Sequence, residues 1–325
     1  MIGISKRLIS SVVCVLMLCL VLLTGCGQRT AEVRIGALKG PTSMGLLYLM
    51  NDNIAKEDSH LSYYVEMAVS ADELLPKMVK GELDIALVPA NVASVLYAKT
   101  KGQISAIDIN TLGVLYIVSA TKTETIQDLK GKTIYLTGKG TTPDYVLSYL
   151  LKENGISEKD CVLEYKSEAT EVAALLAENP EAVGLLPQPF VTAACAQNEQ
   201  LQIQLDLNAE WNQVQGSQMV TGVTVVRKEF LEEQEETVKS FLEDHAKSVD
   251  AINQNPQTGA EYAEAAGIVG KKQIAQKAIP FCNLTCITGE EMKTAVSGYL
   301  EVLYQQNPES VGGSLPGDDF YFIAE

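Results

Sequence analysis

Hydroxyls, amides and glycines gather in a few short loops of this chain, and they suit reversible capture of a small molecule through hydrogen bonds. Lys39-Gly40-Pro41-Thr42-Ser43 offers two hydroxyls, an ammonium and free backbone N–H groups. Ala90-Asn91 adds an amide, and Gly138-Lys139-Gly140-Thr141-Thr142-Pro143 lets backbone approach closely beside two more hydroxyls. Ser167-Glu168 and Gln188-Pro189-Phe190 complete the set, with Phe190 offering a ring to a planar ligand. Tyr116 and Thr221, on extended segments, join the candidate contacts. Each also has a plain structural reading: Thr42, Ser43, Asn91, Thr141 and Thr142 as helix caps, Phe190 and Trp211 as core, Tyr116 and Thr221 as hinge packing. Chemistry that breaks bonds has no such cluster. Gly-x-Ser-x-Gly, Gly-x-x-x-x-Gly-Lys-Ser/Thr and Gly-x-Gly-x-x-Gly are all missing, and neither histidine, His60 or His245, falls in these loops. The expectation is therefore no catalytic residue, no metal, no cofactor, and a protein that is not an enzyme. Helix N-termini favour an anionic group, but no Arg lies in the loops to clamp one, and Asp144 and Glu168 tolerate a cationic or neutral heterocycle. A small polar organic solute satisfies both.

The loops join strands to helices. Val33–Leu38 reads as a buried strand, followed by strands at 61–68, 83–88 and 104–109 with helices at 71–80 and 92–101 between them. A second series follows: strands at 133–137, 162–165, 183–186 and 201–207, helices at 143–153, 168–178 and 189–196. Two long apolar runs, 112–120 and 219–227, bracket that insertion and read as strands crossing between halves. A helical end at 228–255, 258–266, 271–277 and 290–306 closes the chain. Alternation of this kind means mostly parallel sheets flanked by helices. The organisation expected is residues 33–114 and 222–325 as one lobe, 115–221 as the other with the hinge strands.

The first residues carry an address. Lys6 and Arg7 precede sixteen uncharged residues, Leu8 to Leu23, and then small residues: a signal peptide over 1–25. Leu23-Thr24-Gly25-Cys26 resembles the bacterial lipobox, which implies a diacylated Cys26 at the new N-terminus, a tether over 26–32 and a lipid anchor at the extracytoplasmic face of the cell membrane. Net charge is −16 over the chain and −18 once Lys6 and Arg7 leave. Such a surface repels nucleic acid, which is excluded as a partner. Of seven cysteines, Cys161, Cys195, Cys282 and Cys286 remain after Cys14, Cys19 and Cys26 are assigned. They read as buried thiols or one disulfide, Cys282–Cys286 or Cys161–Cys195. With neither histidine near a cysteine in sequence, a zinc site is not expected.

Four motifs in order carry a family resemblance: Ile35-Gly36-Ala37-Leu38-Lys39-Gly40-Pro41, Gly81-Glu82-Leu83-Asp84-Ile85-Ala86, Asp128-Leu129-Lys130-Gly131-Lys132-Thr133-Ile134 and Leu186-Pro187-Gln188-Pro189-Phe190. With the lipobox, they resemble the substrate-binding lipoproteins of ABC importers in the nitrate/sulfonate/taurine/thiamine-precursor group. That resemblance implies the two-lobed type II periplasmic-binding-protein fold, a monomer that closes on its solute by hinge rotation, and delivery to an ABC permease in the membrane. Relatives often carry Glu where Gln188 stands, which removes an acidic contact here. Two other roles use the same scaffold: a ligand-sensing surface lipoprotein without transport, and a small-molecule enzyme.

Overall fold

A computed structural model describes residues 31–51, 61–157 and 159–324. Signal peptide, Cys26 and His60 therefore lie outside the described residues. In chain order the first half holds β1 (Ala31–Leu38), α1 (Pro41–Met44), α2 (Leu47–Met50), β2 (Leu61–Ala68), α3 (Ala71–Lys80), β3 (Ile85–Pro89), α4 (Ala90–Lys99) and β4 (Ile104–Leu112). The inserted half holds β5 (Leu115–Ser119), β6 (Thr133–Thr137), α5 (Thr142–Glu153), β7 (Val162–Lys166), α6 (Ala169–Glu178), β8 (Val183–Pro187), α7 (Phe190–Gln197), β9 (Gln202–Asp206) and α8 (Leu207–Gln215). Then come β10 (Val220–Arg227), α9 (Lys228–Glu233), α10 (Glu235–Gln254), α11 (Pro256–Ala265), α12 (Lys272–Ala278), β11 (Leu284–Ile287) and α13 (Gly289–Gln306).

The strands form two sheets, ordered β11-β4-β10-β3-β1-β2 and β7-β6-β8-β5-β9. Apart from the edge strand β11, both follow one plan. In each, a strand running against its neighbours is inserted before the last: β10 pairs antiparallel with β3 and β4, and β5 pairs antiparallel with β8 and β9. Each reversed strand is the one that has just crossed from the other sheet. This is the two-lobed α/β arrangement expected.

The crossings differ from the sequence reading in two ways. The run 112–120 is not one strand; β4 continues to Leu112, and Gly113-Val114 breaks it before β5. A Cβ on Gly113 would lie 2.5 Å from both Asn208 Cβ and Met219 Cε, so the second crossing segment packs directly on the first. The expected second strand is present as β10, but it lies wholly in the first sheet, and the segment leading into it from the second sheet is helix α8. Asp206 caps α8 by accepting from the Asn208 N–H (2.9 Å), and Gly216 ends it in a left-handed turn. The helix expected over 228–255 is also broken, at Gln234 between α9 and α10.

Helix α8 faces the first lobe. Trp211 is fully buried, with its ring 5.0 Å from Tyr149 of α5 and 5.4 Å from Tyr299 of α13. One apolar cluster runs from Leu147 and Leu150 through Trp211 to Val296 and Leu300, so the lobes share part of their core. All four cysteines downstream of residue 31 are free thiols, Cys161 and Cys282 buried among them.

The first sheet is stapled at the edge away from the crossings. The Asp84 carboxylate, 2% exposed, accepts from the Arg34 backbone N–H (3.0 Å), Arg34 Nε (2.9 Å) and Arg227 NH2 (3.2 Å). Burial alone would raise its pKa, but the donors from Arg34 and Arg227 outweigh burial and hold it below the usual carboxylate value. A depressed folded-state pKa adds stability that is present above about pH 4 and is lost as pH falls through the lower folded value. Urea unfolding from pH 7 to pH 2 should show that loss, and Asp84→Asn should remove about 2–3 kcal/mol at pH 7 and flatten the acid limb.

Candidate functional site

Parallel strands of both sheets end where the crossings lie, and the two sets of loops meet there. Asn283 Nδ2 donates to Gly113 O, and the Gln188 N–H donates to Val114 O (3.1 Å). Tyr116, on β5, sends its hydroxyl across to Phe281 O (2.8 Å). Burial first, then the Asp206 charge, raise the Tyr116 phenol well above its ordinary pKa, so it acts there as a donor at any working pH. Helices α7 and α12 touch across the same junction.

Most of the loop residues named from sequence are engaged locally. Pro41 opens α1, and Ser43 Oγ donates to Gly40 O (3.0 Å). Thr141 Oγ1 donates to Gly138 O (2.6 Å), while the Gly140 N–H donates to Asp144 Oδ2 (2.7 Å). The Ser167 N–H is taken by Glu171 Oε2 (2.7 Å). Ala90 is core, and Asn91 Nδ2 points to Ser310 O (3.4 Å), at the far end of the chain. Lys39 is exposed. Thr142 opens α5 beside the Tyr299 hydroxyl, and Phe190, partly buried, packs with Val191 and Ala194.

Two of the named residues stand apart. Gln188 is fully buried before a cis bond to Pro189, and its Oε1 accepts from Thr192 Oγ1 (2.9 Å) and Thr192 N (3.3 Å). Its Nε2 has no partner among the described residues, and neither has the buried Thr221 Oγ1. Both lie within a residue or two of the Leu112–Val114 crossing in the strand ladders, one on each sheet. An amide donor and a hydroxyl atom held this way, without a partner among the described residues, are what a ligand oxygen would satisfy.

Below them is a polar floor that sequence reasoning missed. Asn110, Thr111 and Thr224 are fully buried; Asn110 Nδ2 donates to Thr224 Oγ1 (3.2 Å) and Thr111 Oγ1 donates to Asn110 Oδ1 (2.9 Å). Thr42, 7% exposed, closes over this floor at Gly222, where a Cβ would lie 2.6 Å from Thr42 Cγ2 and 2.4 Å from Asn110 Oδ1. The signal was available: Asn110 and Thr111 sit side by side near the end of a buried strand.

A second group was also missed. His245 and Cys286, placed in unrelated segments by the sequence reading, meet at Asp108 deep in the first lobe. An Asp in mid-strand and a His on the apolar stripe of a helix (Val238, Phe241, His245, Ser248, Ile252) were the available signs that the two pair.

Against known proteins, a family model described as menaquinone biosynthesis matches residues 46–305. The chain belongs to that family. No curated protein matches it. Among solved structures it is similar to an ABC transporter protein from Parabacteroides distasonis at 26% identity, covering 91% of this chain and 99% of that one with a TM-score of 0.77. It also resembles the periplasmic aliphatic sulphonate-binding protein of Escherichia coli (14% identity, 87% and 96% covered, TM-score 0.71) and the periplasmic nitrate-binding protein of Synechocystis PCC 6803 (11%, 86% and 82%, TM-score 0.60). The fold is thus the one shared by the substrate-binding proteins of ABC importers, as the four motifs implied. The expectation that the chain is not an enzyme does not stand: its family is described by a biosynthetic route, and the fold by itself does not decide between catalysis and capture.

Because Gly222 lies against both Thr42 and Asn110, Gly222→Ala should destabilise the protein by about 1–3 kcal/mol and disturb this buried polar cluster. Chemical unfolding measures the first effect, and a comparison with Gly131→Ala, whose left-handed turn has open space around it, separates it from backbone strain.

Proposed function

We propose that this chain captures a small polar organic solute between its two lobes and delivers it to an ABC permease, anchored at the extracytoplasmic face of the membrane by lipid on Cys26. The unpartnered Gln188 Nε2 and Thr221 Oγ1 carry the reading, one from each side of the crossing. Together they offer donors to an acceptor oxygen, and no arginine competes to demand full negative charge. Lys39, Pro41, Thr42, Ser43, Ala90, Asn91, Tyr116, Thr141, Thr142, Ser167, Pro189 and Phe190 form the surrounding rim in this proposal, with the lobes divided at 33–114 plus 222–325 and 115–221. The ligand biases closure through whatever contacts it gains only when the lobes meet.

The sole tryptophan reports this motion, since Trp211 is wedged between Tyr149 of one lobe and Tyr299 of the other. Titration with carboxylates, sulfonates and neutral heterocycles should find a compound that changes Trp211 fluorescence and raises Tm. Thr221→Val should weaken that compound about 10-fold while leaving the ligand-free Tm unlowered, because it removes an unsatisfied buried hydroxyl. Gln188→Glu, which keeps the acceptor from Thr192 and deletes the free donor, should weaken it at least as much. Binding unaltered in both variants would exclude this site. For the anchor, Cys26→Ser should move the protein from the membrane fraction to the soluble fraction and abolish palmitate labelling.

The family match favours a second reading, in which the same cleft transforms an intermediate on the route to menaquinone. Incubation of each bound compound with excess over protein, followed by mass spectrometry, separates the two. Intact solute recovered means capture; product beyond one equivalent means turnover.

A further inference from the structure

Asp108, His245 and Cys286 come from three elements, β4, α10 and β11, that the fold holds rigidly together. His245 Nδ1 lies 2.9 Å from Asp108 Oδ2, with both side chains fully buried. Cys286 Sγ lies 3.8 Å from the same carboxylate oxygen, and the candidate ligand atoms of all three residues fall within 4.8 Å of one another. Two polar atoms in this cluster, Asp108 Oδ1 and His245 Nε2, are buried without a partner among the described residues. Such a trio is poorly explained as core packing, since it leaves unsatisfied groups where apolar side chains would leave none.

We infer that these three residues form a binding site for a borderline-soft divalent cation, with Zn²⁺ fitting best. Imidazole nitrogen, thiolate and carboxylate are the donors that Zn²⁺ takes in tetrahedral sites. With Zn–N and Zn–O near ~2.0–2.1 Å and Zn–S near ~2.3 Å, the edges of that tetrahedron are about 3.3 Å for N to O and about 3.5 Å for S to O. The observed 2.9 Å and 3.8 Å bracket those edges, so small shifts of three side chains admit the ion. Access is provided by a cavity of about 460 Å³ lined by Ile107, Leu242, Glu243, Cys286 and Phe322, in which Cys286 forms part of the wall. A fourth ligand, water or a small solute, enters from that side.

The protons balance. Burial, and then the Asp108 charge, keep the Cys286 thiol protonated in the ion-free protein. Because the thiolate is the ligand form, binding requires the Cys286 thiol to give up its proton to solvent. His245 Nε2 faces Gly45, where a Cβ would lie 2.7 Å from that nitrogen, so Nδ1 is the ligand atom turned toward Asp108 and Cys286. Asp250, which also bears on the Cys286 thiol, and Glu243 on the cavity wall add negative charge that favours a cation.

Cobalt(II), a spectroscopic stand-in for Zn²⁺, tests this in the full-length reduced protein. The expected result is one equivalent bound after gel filtration, a thiolate-to-cobalt charge-transfer band, release of one proton per ion at neutral pH, and displacement by Zn²⁺ with a higher Tm. Cys286→Ser should abolish the band and weaken binding about 100-fold or more, while a variant with Cys161, Cys195 and Cys282 all replaced by Ala keeps both. Absence of retained metal, or a band that survives in Cys286→Ser, overturns the assignment. Should Cys286→Ser fail to fold, loss of the band in the triple-Ala variant overturns it equally.

Discussion

A carboxylate buried at the edge of a sheet is costly unless donors surround it, and the first lobe is organised by one that is surrounded. Asp84 collects the backbone and side chain of Arg34 on β1 and the guanidinium of Arg227 on β10, while its own backbone N–H donates to Arg34 O (2.8 Å) and its carbonyl accepts from the Arg227 N–H (3.0 Å). Three neighbouring strands are thereby fixed in register at one end. Their other ends are free to diverge into loops, and every candidate contact in this lobe lies on that divergent side. The charge network and the candidate loops are at opposite ends of the same strands.

Repetition of one strand order in both sheets has a mechanical consequence. Each lobe borrows a strand from the chain just after it crosses over, so β5 and β10 are anchored by a full ladder on either side. The chain between the two ladders is short: Gly113-Val114 on one side, and the segment from α8 to Met219 on the other. Gly113 sits where the two segments touch, and its lack of a side chain is what lets them touch.

The sequence made the βα alternation, the insertion of one series in the other and both crossing points legible, because buried parallel strands are short apolar runs and their helices carry a 3.6-residue stripe. It did not reveal that the second crossing is helical. Residues 207–215 mix Asn, Glu and Gln with few apolar side chains, and tertiary packing of Leu207 and Trp211 makes that segment a helix worth forming. Strand β11 escaped because four residues carry too little pattern. For the site, listing hydroxyls and amides by loop position was a coarse filter. Ser43, Thr141 and Ser167 turned out to serve their own turns, whereas Gln188 and Thr221 kept unsatisfied polar atoms. Which of the two fates befalls a polar loop residue depends on neighbours distant in sequence, as it did for His245 and Cys286.

Trp211 makes the seam between the two sheets weaker than its buried apolar area suggests. Its indole N–H is buried without an acceptor among the described residues, so the apolar grip of Tyr149 and Tyr299 is partly offset by a group that water would satisfy if the halves parted. An apolar contact that carries one unsatisfied polar atom is stabilised by less than its area alone would give.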